Sequence, residues 1–230
     1  ERAQFGPLKG AWRVFLIDQV DRANEQAANS LLKILEEPPP YLIVFLPAEN
    51  PYDLLPTIRS RSLQFALSRL TDSELRKFLG DRNVKDAENR IALSAGCPGA
   101  AIALDWETFS RRREAMLKLI ESATGKAPFA DWARHSESIG MRKSEKLDDY
   151  LHILYLLLED LLVMTHGKPP LRNRDLGMRL QSLAGAVSFQ WIRAAVKKTD
   201  ELSDLVRRNI QRGIALDALA VQLKEATART

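Results

Sequence analysis

Hydrophobic residues in the first third of the chain fall into two continuous runs with a helical pattern between them. The runs are RVFLID at 13–18 and LIVFL at 42–46. Between them, apolar residues recur every three or four positions over 27–35, and a run of three prolines from Pro38 ends that pattern. Two buried strands joined by a helix indicate a parallel pair covered on both faces in an α/β sheet. A third short strand is predicted over 62–67.

The rest of the chain shows helical spacing without a strand pattern. Thr71 and Glu74 form a capping box, in which each side chain can bond the other's backbone amide, so a helix is predicted to begin there. Glycine and proline in the sequence SAGCPGAA at 94–101 mark a turn between helices. The remaining predicted helices are Trp106–Ala123, Phe129–Ile139, Lys146–Thr165, Leu176–Ala184 and Phe189–Ala226, the last broken near Gly213.

Composition restricts the chemistry without assigning it. The 230 residues are 45% hydrophobic, and 34 basic against 30 acidic residues leave a net charge of +4, which permits a nucleic-acid partner but does not argue for one. The single cysteine, Cys97, excludes an internal disulfide and a multi-cysteine zinc site. The longest apolar run, 151–164, is interrupted by charges and is shorter than the roughly 20 residues that span a bilayer. A cytoplasmic protein without a membrane segment is predicted.

Three stretches carry a resemblance to a known family. They are VFLIDQVDRANEQAANSLLKILEEPP at 14–39, NPYDLLPTIRSRS at 50–62, and RRNIQRGIALDALAVQL at 207–223. Together they resemble the clamp-loader AAA+ proteins of bacterial DNA polymerase III, and among these the delta-prime type of subunit. The first two stretches are similar to the second half of an AAA+ domain, and the third is similar to the last collar helix.

The resemblance implies a partial AAA+ parallel sheet of the P-loop type over 1–67, followed by an all-α lid over 68–105 and an all-α collar domain for oligomerisation over 106–230. The sequence contains no G-x-x-x-x-G-K-[ST] phosphate loop. Since the strand before Asp18 lies close to the first residue, we expect roughly 100 further residues upstream, by comparison with typical domain sizes.

Several positions depart from the ATP-hydrolysing members of the family. Asp18 matches the Walker B aspartate that holds magnesium, but the next residue is Gln19, which has no charge with which to act as a base. The sensor position after the second run reads Pro-Ala-Glu at 47–49, and 97–100 lacks the sensor arginine. We therefore predict a vestigial Walker B motif at Asp18 and Gln19, no intrinsic ATPase, and no cofactor or metal bound by this chain.

The segment from Thr57 to Ser62 resembles the Ser-Arg-Cys motif of clamp loaders, with Ser60, Arg61 and Ser62 at its three positions. In the family, the arginine of this motif points across a subunit interface at the ATP and magnesium of a neighbour. A guanidinium suits that role because it is permanently charged and presents several donors to phosphate oxygens. Arg61 is thus predicted to be an arginine finger acting in trans, and a role for Arg59 stays open.

The partners that the resemblance implies are the gamma or tau and delta clamp-loader subunits and, through the assembly, the sliding clamp and primed DNA. A non-hydrolysing stator subunit is the leading hypothesis. Two alternatives remain: an ATP-hydrolysing gamma/tau-like subunit seen as a fragment, and a scaffold in which Arg61 has no catalytic part.

Overall fold

The fold is mostly helical, with one small parallel sheet. It was analysed as a computed structural model that describes residues 5–7, 9–141, 145–167, 170–206 and 211–228. The chain divides into two compact units, with the boundary between Ser68 and Arg69. The separate lid and collar boundary near residue 105, suggested by the sequence, stays a prediction.

The first unit contains strand β1 (Arg13–Leu16), helix α1 (Glu25–Glu36), strand β2 (Leu42–Phe45) and the short helix α2 (Pro56–Ser60). The two strands pair in parallel, with Val14 opposite Ile43, as the two apolar runs predicted. Helix α1 begins where the side chain of Asn24 accepts a hydrogen bond from the amide of Ala27, at 2.9 Å.

The first unit covers only one face of its sheet, on which the side chains are half-buried. The buried residues of its core are Val20, Ala28, Leu31 and Ile58. The other side of the sheet leaves apolar side chains exposed: Val14, Leu16, Ile43 and Phe45. The prediction of strands covered on both faces is therefore wrong for the described residues of the first unit, because no element of that unit covers the second face.

The predicted third strand over 62–67 is also wrong. Residues 63–68 have no regular secondary structure, and Leu63, Phe65 and Leu67 are 81%, 79% and 97% exposed. The alternation of apolar and polar residues there is typical of a strand, but a strand also needs a neighbour whose backbone completes the ladder. The described part of the chain offers none to this segment.

The second unit begins with three helices, α3 (Asp72–Gly80), α4 (Ala87–Ser94) and α5 (Pro98–Ala103). The capping box at the start of α3 is confirmed: the amide of Glu74 bonds the Thr71 hydroxyl at 3.3 Å, and the Glu74 carboxylate accepts from the Thr71 amide at 2.8 Å. These three helices share a small core, formed by Leu75, Leu79, Ile91 and Ala101.

Six further helices form the larger core of the second unit. They are α6 (Trp106–Ala123), α7 (Phe129–Met141), α8 (Leu147–His166), α9 (Gly177–Ala184), α10 (Phe189–Val206) and α11 (Arg212–Ala228). Five of them agree with the predicted helices to within two residues at each start, and the stretch predicted as one long last helix contains α10 and α11, with Gly213 inside α11. Residues 207–210, where the third resembling stretch begins, lie outside the described residues.

Two buried tryptophans fix the packing of α11 in this core. The Trp132 indole donates to the Asp217 carboxylate at 2.8 Å, and the Trp191 indole donates to the Leu223 carbonyl at 3.1 Å. Both rings are almost fully buried. Each buried N–H therefore has a partner, which avoids the loss that an unsatisfied donor would cause.

Buried charge in the second unit is paired as well. Arg113 donates to both carboxylate oxygens of Asp175, at 2.8 and 2.6 Å, and to the Asn173 side chain at 3.1 Å. The buried carboxylate of Asp160 accepts from the amides of Arg172 and Asn173, at 2.7 and 2.9 Å. This network joins α6 and α8 to the connection before α9, and it gives the buried charges of Arg113 and Asp160 hydrogen-bond partners.

Within the described ranges, no helix combines the length and the apolar character needed to cross a bilayer.

The turn at Gly96 requires a residue without a side chain. Gly96 has a φ of +81°, and a Cβ placed there would lie 2.6 Å from the Leu70 carbonyl oxygen. We expect Gly96→Ala to lower the free energy of unfolding by about 2 kcal/mol or more, since the left-handed conformation alone costs roughly 1–2 kcal/mol for other residues. Chemical denaturation measures this change.

Gly99→Ala is the matched control. Gly99 lies in α5, and a Cβ there would meet nothing within 4 Å. It should raise stability by about 0.5–1 kcal/mol, because alanine is the better helix residue. Equal effects of the two substitutions would contradict the described turn.

Candidate functional site

The residues after β1 place a carboxylate and an amide at the end of the sheet. Asp18 is exposed, and its Oδ1 accepts the backbone amide of Gln19 at 3.0 Å. Gln19 has a φ of 52°, a left-handed conformation that non-glycine residues adopt only at a cost of roughly 1–2 kcal/mol. One oxygen of Asp18 is therefore turned back onto its own chain, and the residue beside it offers no charge.

The residues after β2 lie at the same edge, because the carboxyl ends of parallel strands share one edge of a sheet. Glu49 pairs with Arg22 at 3.6 Å, and both side chains are largely exposed. Asn50 caps the short turn that follows: its Oδ1 accepts from the Tyr52 amide, and its Nδ2 donates to Asp53, both at 3.1 Å. Asn50 and Glu49 are thus both occupied by local partners.

Helix α2 fixes the backbone of the predicted motif. Pro56 occupies its first turn, where the missing N–H is no loss. The Ser60 hydroxyl donates to the Thr57 carbonyl at 3.1 Å, and the Ser62 hydroxyl donates to the Ile58 carbonyl at 2.8 Å. Since Ile58 is buried in the core of the first unit, this short helix is attached to the rest of that unit.

Arg61 directly follows α2, and its side chain is held at two terminal nitrogens. Nη1 donates to the Thr57 carbonyl at 3.1 Å, and Nη2 lies 3.1 Å from the Glu36 carboxylate at the end of α1. The side chain is nevertheless 37% exposed. Arg61 therefore combines a defined position with access from solvent.

Arg59 has a different environment. Its guanidinium lies over the ring of Tyr52, 5.1 Å from the ring centroid, in the geometry of a cation–π contact. The two arginines of the motif are thus held by different partners, the ring of Tyr52 for Arg59 and the Glu36 carboxylate for Arg61. Arg59 can serve as a comparison for Arg61.

The turn SAGCPGAA lies in the second unit and presents no cation at 97–100. Cys97 is the N-cap residue of α5 and is exposed, and Pro98 occupies the first position of that helix. Elsewhere in the described ranges, no group of three His, Cys, Asp or Glu side chains is placed to hold a metal ion.

The structure thus brings Thr57, Ser60, Arg61 and Ser62 into one compact turn and places Asp18 and Gln19 at the end of β1. Sequence reasoning missed one participant, Glu36, which it quoted within the Leu-Glu-Glu-Pro-Pro segment without giving it a role. Only the packing of α1 against α2 reveals the pairing of Glu36 with Arg61.

The family model and the relatives described below are all subunits of DNA polymerase III. A family model described as "DNA polymerase III, delta subunit" matches residues 1–71. The chain is 31% identical over 191 residues to DNA polymerase III subunit delta' of Escherichia coli. This alignment covers 82% of this chain and 54% of that protein. The chain is also 32% identical over 229 residues to subunit delta' of Pseudomonas aeruginosa. This second alignment covers 93% of this chain and 66% of that protein.

A shorter similarity links the chain to a different subunit type. It is 39% identical over 79 residues to DNA polymerase III subunit tau/gamma of Haemophilus influenzae, and this match covers 34% of the chain and 12% of that protein. The delta' similarity extends over most of the chain, whereas the tau/gamma similarity is restricted to about a third. The chain spans about half the length of its Escherichia coli relative.

Proposed function

The chain belongs to the family of DNA polymerase III delta-prime subunits, and on this premise we propose that it is a non-hydrolysing stator that supplies Arg61 in trans to a neighbour's ATP. The predicted resemblance to this family is thereby confirmed. The proposed architecture is the second part of an AAA+ sheet, a lid over α3–α5 and a collar over α6–α11.

The position of Arg61 is the observation that carries the proposal. A finger that acts on another subunit's nucleotide must be reachable from outside its own subunit and must not be free to adopt many conformations. Arg61 meets both requirements, since its side chain is 37% exposed and two of its nitrogens are held. A guanidinium so placed can stabilise the charge that develops on the γ-phosphoryl group as it leaves.

The residues at the carboxyl edge of the sheet support the absence of hydrolysis. Gln19 stands where active members carry a carboxylate beside the Walker B aspartate, and an amide cannot accept a proton from the attacking water. Glu49, at the same edge, is paired with Arg22 and offers no donor of its own to a phosphate. ATP and magnesium are therefore proposed to sit on the neighbouring subunit, with no cofactor held by this chain.

The proposed partners follow from the family. The stator would pack against delta and gamma or tau subunits in a cytoplasmic assembly that loads the sliding clamp onto primed DNA. As a subunit of the polymerase III holoenzyme, it would contribute to DNA synthesis without carrying out the polymerase reaction.

Helix α11 supports a collar contact. Its buried side packs in the core of the second unit, yet Ile214, Ala218 and Val221 on its outer side are exposed, with Ile214 at 63% and Val221 at 45%. These three residues recur at helical spacing and form an apolar stripe. An apolar stripe on the outside of a packed bundle is typical of a surface that another subunit covers.

Two other functions compete with this proposal. The tau/gamma similarity over 79 residues favours an ATP-hydrolysing subunit. Against it, this sequence contains no phosphate loop and has Gln19 in place of a carboxylate. A pure scaffold would use only the collar surface, and in that case the anchoring of Arg61 would have no catalytic consequence.

Replacing Arg61 tests the central proposal. In a complex assembled from the full-length chain with gamma or tau and delta, Arg61→Ala should reduce ATP hydrolysis at the neighbouring site. The reduction at that site should be about 10³–10⁵-fold, the range known for arginine fingers of GTPases. DNA-stimulated ATPase activity of the complex measures the loss of that site's share of turnover.

Arg59→Ala is the matched control, because it removes the same charge from the same segment but from a side chain stacked on Tyr52. It should leave turnover close to the unsubstituted rate. An unchanged rate with Arg61→Ala, in a complex that assembles normally, would leave only the scaffold function.

The isolated full-length chain tests the hydrolytic alternative. It should release no phosphate from ATP above the background rate, because Gln19 cannot act as a base. Phosphate release measured beside a gamma or tau subunit provides the positive control. Micromolar ATP binding accompanied by turnover would instead identify an ATP-hydrolysing subunit.

A charge in the stripe on α11 tests the collar contact. Ile214→Lys should weaken assembly with the partner subunits, since it places a charge in an apolar interface, while the stability of the isolated chain changes by no more than about 0.5 kcal/mol. Ala103→Lys adds the same charge at an exposed position of α5 and should assemble normally. Analytical ultracentrifugation distinguishes the two, and equal assembly would contradict the proposed contact.

A further inference from the structure

Glu36 and Arg61 join the ends of two helices that meet in the first unit. Glu36 is the last residue of α1, and Arg61 follows the last residue of α2. The Glu36 Oε1 lies 3.1 Å from Nη2 of Arg61, on the guanidinium whose Nη1 donates to the Thr57 carbonyl. The two contacts therefore engage both terminal nitrogens of one guanidinium.

We infer that Glu36 is a positioning residue for Arg61: its carboxylate holds the guanidinium so that the remaining donors face a nucleotide bound by the adjacent subunit. This inference rests on the proposed function of Arg61. Glu36 would touch neither the nucleotide nor the reacting phosphate, so its effect on hydrolysis would pass entirely through Arg61.

The donor geometry of arginine favours this arrangement. A guanidinium has five N–H donors in one plane. The Thr57 carbonyl and the Glu36 carboxylate engage Nη1 and Nη2, while Nε donates no hydrogen bond to the residues that the structure describes. Holding some donors inside the subunit leaves others for phosphate oxygens. A side chain held in this way loses less conformational freedom when it reaches the transition state.

Because Glu36 and Arg61 are both partly exposed, their effect on turnover can be measured separately from any effect on the stability of the fold. The Glu36 and Arg61 side chains are 51% and 37% exposed. Ion pairs with this much contact with solvent contribute little to folding. The loss of the Glu36 charge should therefore leave the fold intact, and any change in turnover can be attributed to the orientation of Arg61.

An autoinhibitory pairing is the competing interpretation. If Glu36 withheld Arg61 from the neighbour, its removal would accelerate hydrolysis. The contacts favour positioning, because the carboxylate engages one nitrogen of Arg61 rather than enclosing the guanidinium, and the side chain stays accessible. The two interpretations predict opposite changes in rate.

Glu37 supplies a matched control. It is the next residue, it carries the same charge and it is exposed, but the ion pair of Arg61 in the described structure is made with Glu36. Glu37→Gln thus changes the same net charge at the same helix end without removing the contact to the guanidinium.

The test compares complexes of the full-length chain with gamma or tau and delta subunits on primed DNA. The chain would carry Glu36→Gln, Glu36→Asp, Glu37→Gln, Arg61→Ala, or Glu36→Gln together with Arg61→Ala. The kcat and the KM for ATP are measured for each complex. Thermal unfolding of each isolated chain checks that the fold is retained.

Glu36→Gln should lower kcat at the neighbouring site about 10-fold, as removal of an orienting partner commonly does, while the KM for ATP stays unchanged. Glu36→Asp should recover part of the rate, and Glu37→Gln should match the unsubstituted complex. The double substitution should be no slower than Arg61→Ala alone, since Glu36 acts only through Arg61.

Different results would identify which idea is wrong. If Arg61→Ala lowers kcat but Glu36→Gln equals Glu37→Gln, or if Glu36→Gln accelerates hydrolysis, the positioning role is excluded while the finger remains. Losses that multiply in the double substitution would also exclude it, because Glu36 would then act independently. If Arg61→Ala itself changes nothing, the proposed function fails first.

Discussion

The contact on which this account depends is the anchoring of one guanidinium at the surface of the first unit. Arg61 is held by the Thr57 carbonyl within its own turn and by the Glu36 carboxylate from a neighbouring helix. The buried side chain of Ile58 connects that turn to the core formed with Val20 and Leu31. A cation with two partners is thus accessible to solvent at the end of a helix attached to the core, and the proposed function uses it to act on a ligand bound elsewhere.

In the proposed function, the same unit holds no nucleotide of its own. The end of β1 carries an amide at position 19 in a left-handed backbone, and after β2 the Glu49 carboxylate is paired with Arg22. Under the proposed function, one active site would be divided between two chains, because Arg61 would act on a nucleotide held by the neighbour. Hydrolysis then depends on assembly, which is useful in a machine that should act only when complete.

Local patterns in the sequence predicted local structure well. The capping box of Thr71 and Glu74 fixed the start of α3, and apolar spacing gave the bounds of α6. Two kinds of information were not local. The segment 62–67 alternates like a strand but lacks a described partner, and strand formation depends on a neighbour that a pattern cannot supply. The pairing of Glu36 with Arg61 depends on how α1 packs against α2, so spacing along the chain gave no sign of it.

A structure of the assembled clamp loader with a transition-state analogue of ATP bound to the adjacent subunit would test the central claim most directly. The account predicts a nitrogen of Arg61 about 3 Å from an oxygen at the γ-phosphate position, the usual length of such a hydrogen bond, with Glu36 still beside the guanidinium. An Arg61 side chain pointing into bulk solvent, far from a fully occupied nucleotide, would contradict it.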